Sequence, residues 1–126
     1  MSFPPLNILV VDDDADTRAN LRDILELDQH RVETAATAAE VLRRDDWAQY
    51  SAIILDRKLP DGTAEDLLPQ LRELAPQASV LIVTGYSDLQ GAIAAVRQGA
   101  ADYILKPINP EALRASLLRE IGRAHV

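Results

Sequence analysis

At 126 residues the chain is one domain of ordinary size, and 48% hydrophobic with 26% charged residues is the balance of a globular protein, not of a disordered one. A formal net charge of −7 without any run of Lys or Arg argues against a nucleic-acid partner, and the absence of cysteine removes disulfides, thiolate catalysis and Cys-zinc sites together. No apolar stretch approaches the roughly 20 residues of a membrane span. The opening MSFPPLN has neither the charged nor the apolar region of a signal peptide, so the expected location is the cytoplasm.

Short apolar runs rich in β-branched residues alternate along the chain with longer helical patterns. Asn7–Val11 reads as the first strand, followed by a helix from about Asp16 to Leu27 with Leu21, Ile24 and Leu25 on one face and Asp14 or Asp16 as its cap. HRVETAA is a weak second strand, and TAAEVLRRD a short helix in which Thr37 and Glu40 have the spacing of a capping box. SAIILD is a strong third strand ending at Asp56. TAEDLLPQLREL carries Leu67, Leu68, Leu71 and Leu74 at helical spacing, and Pro69 within it calls for either a late start or a kink.

SVLIVT is the fourth strand, ending at Thr84, and SDLQGAIAAVRQG the next helix, with Ser87 and Gln90 as a capping box and Gly99 as its stop. DYILK is the fifth strand. NPEALRASLLREIGRA is the last helix, with Asn109 at the cap and Pro110 in the first turn. Ile93 and Val96, and Leu113, Leu117, Leu118 and Ile121 of the last helix, are expected to be partly core and partly partner surface. Strands alternating with helices of this length predict right-handed βαβ units: an α/β fold, one domain over residues 1–126, with a parallel sheet covered on both faces.

In an open parallel sheet, ligands bind beyond the carboxyl ends of the strands. The first strand delivers Asp12 and Asp13 there, the third Asp56, the fourth Thr84 and Gly85, and the fifth Lys106 and Pro107. Like charges repel and a carboxylate is costly to take out of water, so an acid cluster at the end of a buried strand calls for a cation. An oxygen-only ligand set without His or Cys suits a hard divalent ion, and Mg²⁺ fits best because it shares carboxylates with waters and phosphate oxygens. Carboxylate, Mg²⁺, lysine and hydroxyl are also the parts that move a phosphoryl group. A carboxylate can itself be the nucleophile.

The pieces ILVVDDD, IILDRKLPDG, VLIVTGYSD and QGAADYILKP, in that order and spacing, resemble the receiver domains of bacterial two-component response regulators over nearly the whole chain. The resemblance implies a flavodoxin-like, doubly wound sheet of strand order 2-1-3-4-5. It implies that Asp56 is the phosphoacceptor, served by a histidine kinase or a histidine phosphotransfer protein. Asp13 would bind Mg²⁺ directly, Asp12 largely through water, and the Lys58 backbone carbonyl would be a further ligand beside Asp56. Thr84 and Lys106 would each contact a phosphoryl oxygen, and Tyr103 would swing inward with Thr84 on phosphorylation. Lys106–Pro107 resembles the family's cis-peptide site. Lys58 and Tyr86 occupy positions that influence phosphoryl lifetime, with Tyr86 shielding the group from water.

The output surface would be the fourth helix, fifth strand and fifth helix, open to a partner or a second copy, with no direct nucleic-acid or membrane contact and no enzymatic turnover of an external substrate. The helical pattern of LLREIGRAHV persists almost to Val126, so the chain is expected to be either a stand-alone regulator or a receiver from a hybrid histidine kinase or transcription factor.

Each of these readings has a plainer competitor. Asp12 and Asp13 could merely cap the following helix, but Asp14 and Asp16 are better placed to do so. Asp56 could initiate a turn, Thr84 could be an ordinary strand-end threonine, Lys106 an exposed lysine and Tyr103 packing. His30 and His125 read as surface residues. Asp12-x-Asp14 fits the nucleophile motif of haloacid-dehalogenase-like phosphatases, yet the acidic pair needed after the lysine is missing, with only Glu111 and Glu120 on an amphipathic helix. A flavodoxin-like electron carrier fails on charge, since acids stand where a phosphate loop would be. A docking module that is never phosphorylated remains the alternative function.

Overall fold

The apolar runs ILVV, AIIL and VLIV become the inner strands of one parallel sheet in the computed structural model, which describes residues 5–124. The sheet contains β1 (Asn7–Val11), β2 (Arg31–Ala35), β3 (Ala52–Asp56), β4 (Ser79–Thr84) and β5 (Asp102–Leu105), in the order β2-β1-β3-β4-β5. Between and after them run α1 (Ala15–Leu27), α2 (Ala38–Leu42), α3 (Ala64–Leu74), α4 (Leu89–Arg97) and α5 (Pro110–Ala124). β3 is buried at every position because it has a strand on either side and helices on both faces. β2 lies at an edge and alternates between exposed and half-buried residues until the buried Ala35 at its end, which explains its faint apolar signature.

Period-two alternation divides the core. Leu9, Val11, Ile53, Leu55, Val80 and Ile82 pack under α2, α3 and α4, whereas Ile8, Val10, Ile54, Leu81, Val83 and Ile104 pack under α1 and α5. On α5, Leu113, Leu117 and Ile121 are buried, while Leu118 is 52% exposed. On α4 the residues bearing on the sheet are Ala92 and Ala95, with Ile93 and Val96 half-buried beside them. Among the described residues no helix is long and apolar enough to cross a membrane.

Helix starts show where local sequence decides and where it does not. Asp14 caps α1, accepting from the Thr17 N–H at 3.0 Å, and Asn109 caps α5, accepting from Glu111 and Ala112. Thr37 caps α2, but Glu40 reaches back to the Ala36 N–H, so the expected box closes one residue away from its usual place. Thr63 and Asp66 form a complete capping box that starts α3 at Ala64, so of the two outcomes expected from Pro69, a late start or a kink, the late start does not occur. Pro69 lies inside the helix on its solvent side, where its missing N–H removes the bond the Glu65 carbonyl would accept. The Ser87–Gln90 box does not form either: a 3₁₀ turn over Tyr86–Asp88 intervenes and Asp88 becomes the cap residue of α4. Helix α2 also receives help from far along the chain, since both Asp61 carboxylate oxygens accept from its Ala38 and Ala39 N–H groups at 2.8 and 3.0 Å.

His30 is not a surface residue. It is 6% exposed, and its Nδ1 accepts a hydrogen bond from the Leu6 N–H at 3.0 Å, tying the entry of β1 to the turn after α1. Burial holds the imidazole below its usual range, against a smaller opposing pull from Asp28. Neutral His30 therefore contributes stability that is complete above its unfolded value and is lost as pH falls through the depressed one. Chemical denaturation at pH 7.5 and at pH 5 should show wild type losing more stability than His30→Leu across that interval. At pH 7.5 the variant should be destabilised by about 1 kcal/mol, the worth of the missing acceptor. Equal losses across that interval in the two proteins would sink the assignment.

Candidate functional site

Buried strands carry the site to the carboxyl edge of the sheet. Asp12 extends the β1–β2 ladder by donating its N–H to Ala35 O at 3.1 Å, which fixes its backbone and draws its side chain inside. Asp12 is 1% exposed; its Oδ1 accepts from the Asp14 N–H at 2.9 Å, and its carbonyl accepts from Arg18 at 2.7 Å. Asp56, the last residue of β3, is 8% exposed, and Asp13 faces solvent. One carboxylate oxygen from each of Asp12, Asp13 and Asp56 lies within 4.8 Å of the others. Lys106 follows β5, held by its N–H on Thr84 O at 2.7 Å, and the Lys106–Pro107 bond is cis. Its Nζ stands 3.3 Å from Asp12 Oδ2 and 3.5 Å from Asp56 Oδ1.

One ammonium faces three carboxylates, and the imbalance shows in the titration of Asp56. Burial, and then the charge of Asp12, push its carboxyl up to about 6, despite the opposing pull of Lys106. Burial also works against the charge on Lys106, but Asp56 and Asp12 outweigh it and hold the ammonium above its usual range. Asp12 Oδ2 is buried without a properly directed hydrogen bond, its nearest cation being the lysine. A buried carboxylate oxygen left in this state is costly. An orphaned oxygen beside two more carboxylates is the donor set of a hard divalent cation, so Mg²⁺ fits the residues present.

Thr84 is buried at the end of β4, one residue beyond Val83, the register partner of Asp56; its hydroxyl donates to Gly85 O at 3.3 Å. Tyr103 is half-buried opposite Ile82 and packs on the core beneath α4. Strand alternation puts Thr84 and Tyr103 on that same face. The Lys58 ammonium does not join the acids: it is exposed and pairs with Asp88 at 3.1 Å. The Tyr86 side chain and His125 lie outside the described residues. Sequence reasoning missed Arg57, Glu65 and Asp88, which form an ion network beside the site. A glycine inside the α4 pattern, Gly91, was its one readable trace.

Strand order, helices on both faces and an acid cluster opposed by lysine at the carboxyl edge together define a flavodoxin-like domain with its polar site beyond the strand ends. Residues 8–118 match the model of the response regulator receiver domain, and the chain belongs to that family, the receiving module of two-component systems. It is 34% identical over 114 residues to the alginate biosynthesis transcriptional regulatory protein AlgB of Pseudomonas putida, covering 90% of this chain and 25% of that protein. It is 34% identical over 112 residues to the photosynthetic apparatus regulatory protein RegA of Rhodovulum sulfidophilum, covering 89% and 61%. The chain thus spans less than two thirds of these curated relatives. Among solved structures, a receiver domain protein from Clostridium thermocellum superposes with a TM-score of 0.89 at 32% identity, covering 95% of this chain and 97% of that one. A CheY-like receiver domain protein from Methanospirillum hungatei gives 0.86 at 33% identity, covering 97% and 98%.

Proposed function

We propose that Asp56 accepts a phosphoryl group in a Mg²⁺-dependent reaction, with a histidine kinase or histidine phosphotransfer protein as donor, and that the modification switches the surface formed by α4, β5 and α5. The observation that carries this reading is the convergence of Asp12, Asp13, Asp56 and Lys106, with a buried oxygen of Asp12 left unsatisfied. Asp56 is buried among the acids beside Lys106, where its carboxylate is poorly solvated and can act as the nucleophile. An Asp56 oxygen bonds to phosphorus as the phosphorus–nitrogen bond of the donor phosphohistidine breaks, and the imidazole leaves with the electron pair.

Asp12, Asp13, Asp56 and the Lys58 carbonyl would hold the metal, which when bound supplies charge neutralisation for the incoming oxygens. Lys106 sits between Asp12 and Asp56, where it can pair with a phosphoryl oxygen. Thr84 turns its hydroxyl from Gly85 O toward the new group, and Tyr103 on the same face fills the space it leaves, so a local charge event biases a two-state surface. On this reading the chain is a cytoplasmic phosphoacceptor and not an enzyme with an external substrate, and it makes no direct nucleic-acid contact.

Incubation with acetyl phosphate and Mg²⁺, followed by intact mass, should add one phosphoryl group to wild type, none with the metal chelated and none to Asp56→Asn. No gain in wild type while Mg²⁺ still binds would replace this reading with that of a docking module that is never phosphorylated.

A further inference from the structure

Strand alternation sends Asp56 to one side of the sheet and the next residue, Arg57, to the other. The Arg57 N–H donates to Val83 O at 2.9 Å and its carbonyl accepts from the Ala64 N–H at 2.8 Å, so its backbone is bonded to both β4 and the start of α3. From there the largely buried side chain passes beneath the amino end of α4. Its Nε lies 3.0 Å from Glu65 Oε1, and its terminal nitrogen 3.3 Å from Asp88 Oδ1, which also receives Lys58.

Two features show that α4 is built around this arginine. Asp88 holds the cap position of the helix, where a carboxylate ordinarily accepts from first-turn N–H groups, yet its side chain makes no cap bond. Its charge is turned instead toward the two cations that follow Asp56. Gly91 is the second feature: a Cβ there would collide with the Nε, the Cζ and Nη2 of Arg57, the terminal nitrogen other than the Nη1 that faces Asp88. Glycine is unfavourable within a helix, and here it forms the recess that the guanidinium fills. The other holds on α4 are small: its buried residues are Ala92 and Ala95, Val96 packs half-buried beside them, and Arg72 of α3 is bonded to Gln98 O at 3.0 Å at the far end.

We infer that Arg57 is a positioning residue: paired with Asp88 and seated in the Gly91 recess, it holds α4 and the β4–α4 connection in the resting arrangement and so opposes phosphorylation. The second half of this statement rests on the phosphoacceptor reading of Asp56. Moving Thr84 toward a phosphoryl group moves the segment that leads to Asp88, and the seat must open.

Gly91→Ala should expel only the end of a flexible side chain and leave the fold intact. Amide hydrogen exchange in the ligand-free protein should become about tenfold faster in α4, relative to α1 and α5, in both Arg57→Ala and Gly91→Ala. In the Arg57→Ala background the same Gly91→Ala change should slow α4 exchange, because only helix propensity is left to act. That reversal of sign is what a merely structural glycine would not give. With Mg²⁺ present, the half-saturating concentration of beryllofluoride, a phosphoryl mimic, should fall roughly three- to tenfold in either single variant.

Gly91→Ala acting with the same sign in both backgrounds overturns the seat. Beryllofluoride binding unchanged in both single variants overturns its opposition to phosphorylation. A wild type that binds no beryllofluoride while exchange still reverses sign overturns the phosphoacceptor reading and the coupling built on it, and leaves the seat standing.

Discussion

Asparagine in place of Asp56 should stabilise the metal-free domain by about 1–3 kcal/mol at pH 7.5 and have almost no effect below pH 4. Burial and the neighbouring Asp12 raise the Asp56 carboxyl to about 6, so ionising it costs more in the fold than in the unfolded chain. Stability tied to the neutral carboxyl is fully present below the unfolded value and is lost as pH rises through about 6. Asparagine keeps the shape without the charge and escapes that loss. Urea titrations of both proteins between pH 4 and 8, with chelator present, should therefore give stability curves that diverge upward through pH 6. Adding Mg²⁺ should narrow the gap by stabilising wild type more, because metal binds only the folded site. Parallel curves in chelator would mean that Asp56 is not held in a repulsive, desolvated environment.

Methionine in place of Lys106 should slow phosphoryl incorporation by about 10²-fold, the scale on which removal of one preorganised charge partner acts. The same change should strengthen Mg²⁺ binding. The Lys106 ammonium now stands 3.3 Å from Asp12 and 3.5 Å from Asp56, offsetting part of the charge a divalent cation would meet. Without it three carboxylates face the metal alone. Opposite movement of rate and metal affinity separates a lysine that assists transfer from one that merely holds the acids together. A time course by intact mass, with a calorimetric Mg²⁺ titration, measures both. A rate within threefold of wild type would remove Lys106 from the proposed chemistry.

What the sequence discloses here is what strands export. β1, β3 and β4 are buried β-branched runs, so their limits are sharp and the residues following them fall at a known edge of the sheet. Asp12 and Asp56 could be placed together on that ground alone, and Lys106 joins them because β5, though only half-buried, ends at the same edge. Contacts between side chains distant in sequence leave no such trace. Arg57 looks like one more charge in a loop until Glu65 and Asp88 are brought beside it. His30 looks like a surface residue until the turn after α1 folds it under the Leu6 N–H. The cap of α4 was misread for the same reason: Ser87 has the better local signature, but Asp88 is claimed by partners from the loop after β3.

The bond from Asp61 to α2 bears on the order in which a ribosome could deliver this fold. Five residues are too few to nucleate a helix alone. The carboxylate that occupies the first N–H groups of α2 lies 23 residues downstream of Ala38. During synthesis this cap is out of reach of α2, which has only Thr37 beside it, until β3 and the loop beyond it have emerged. The loop that leaves Asp56 thus acts backwards along the chain, completing a helix made before it.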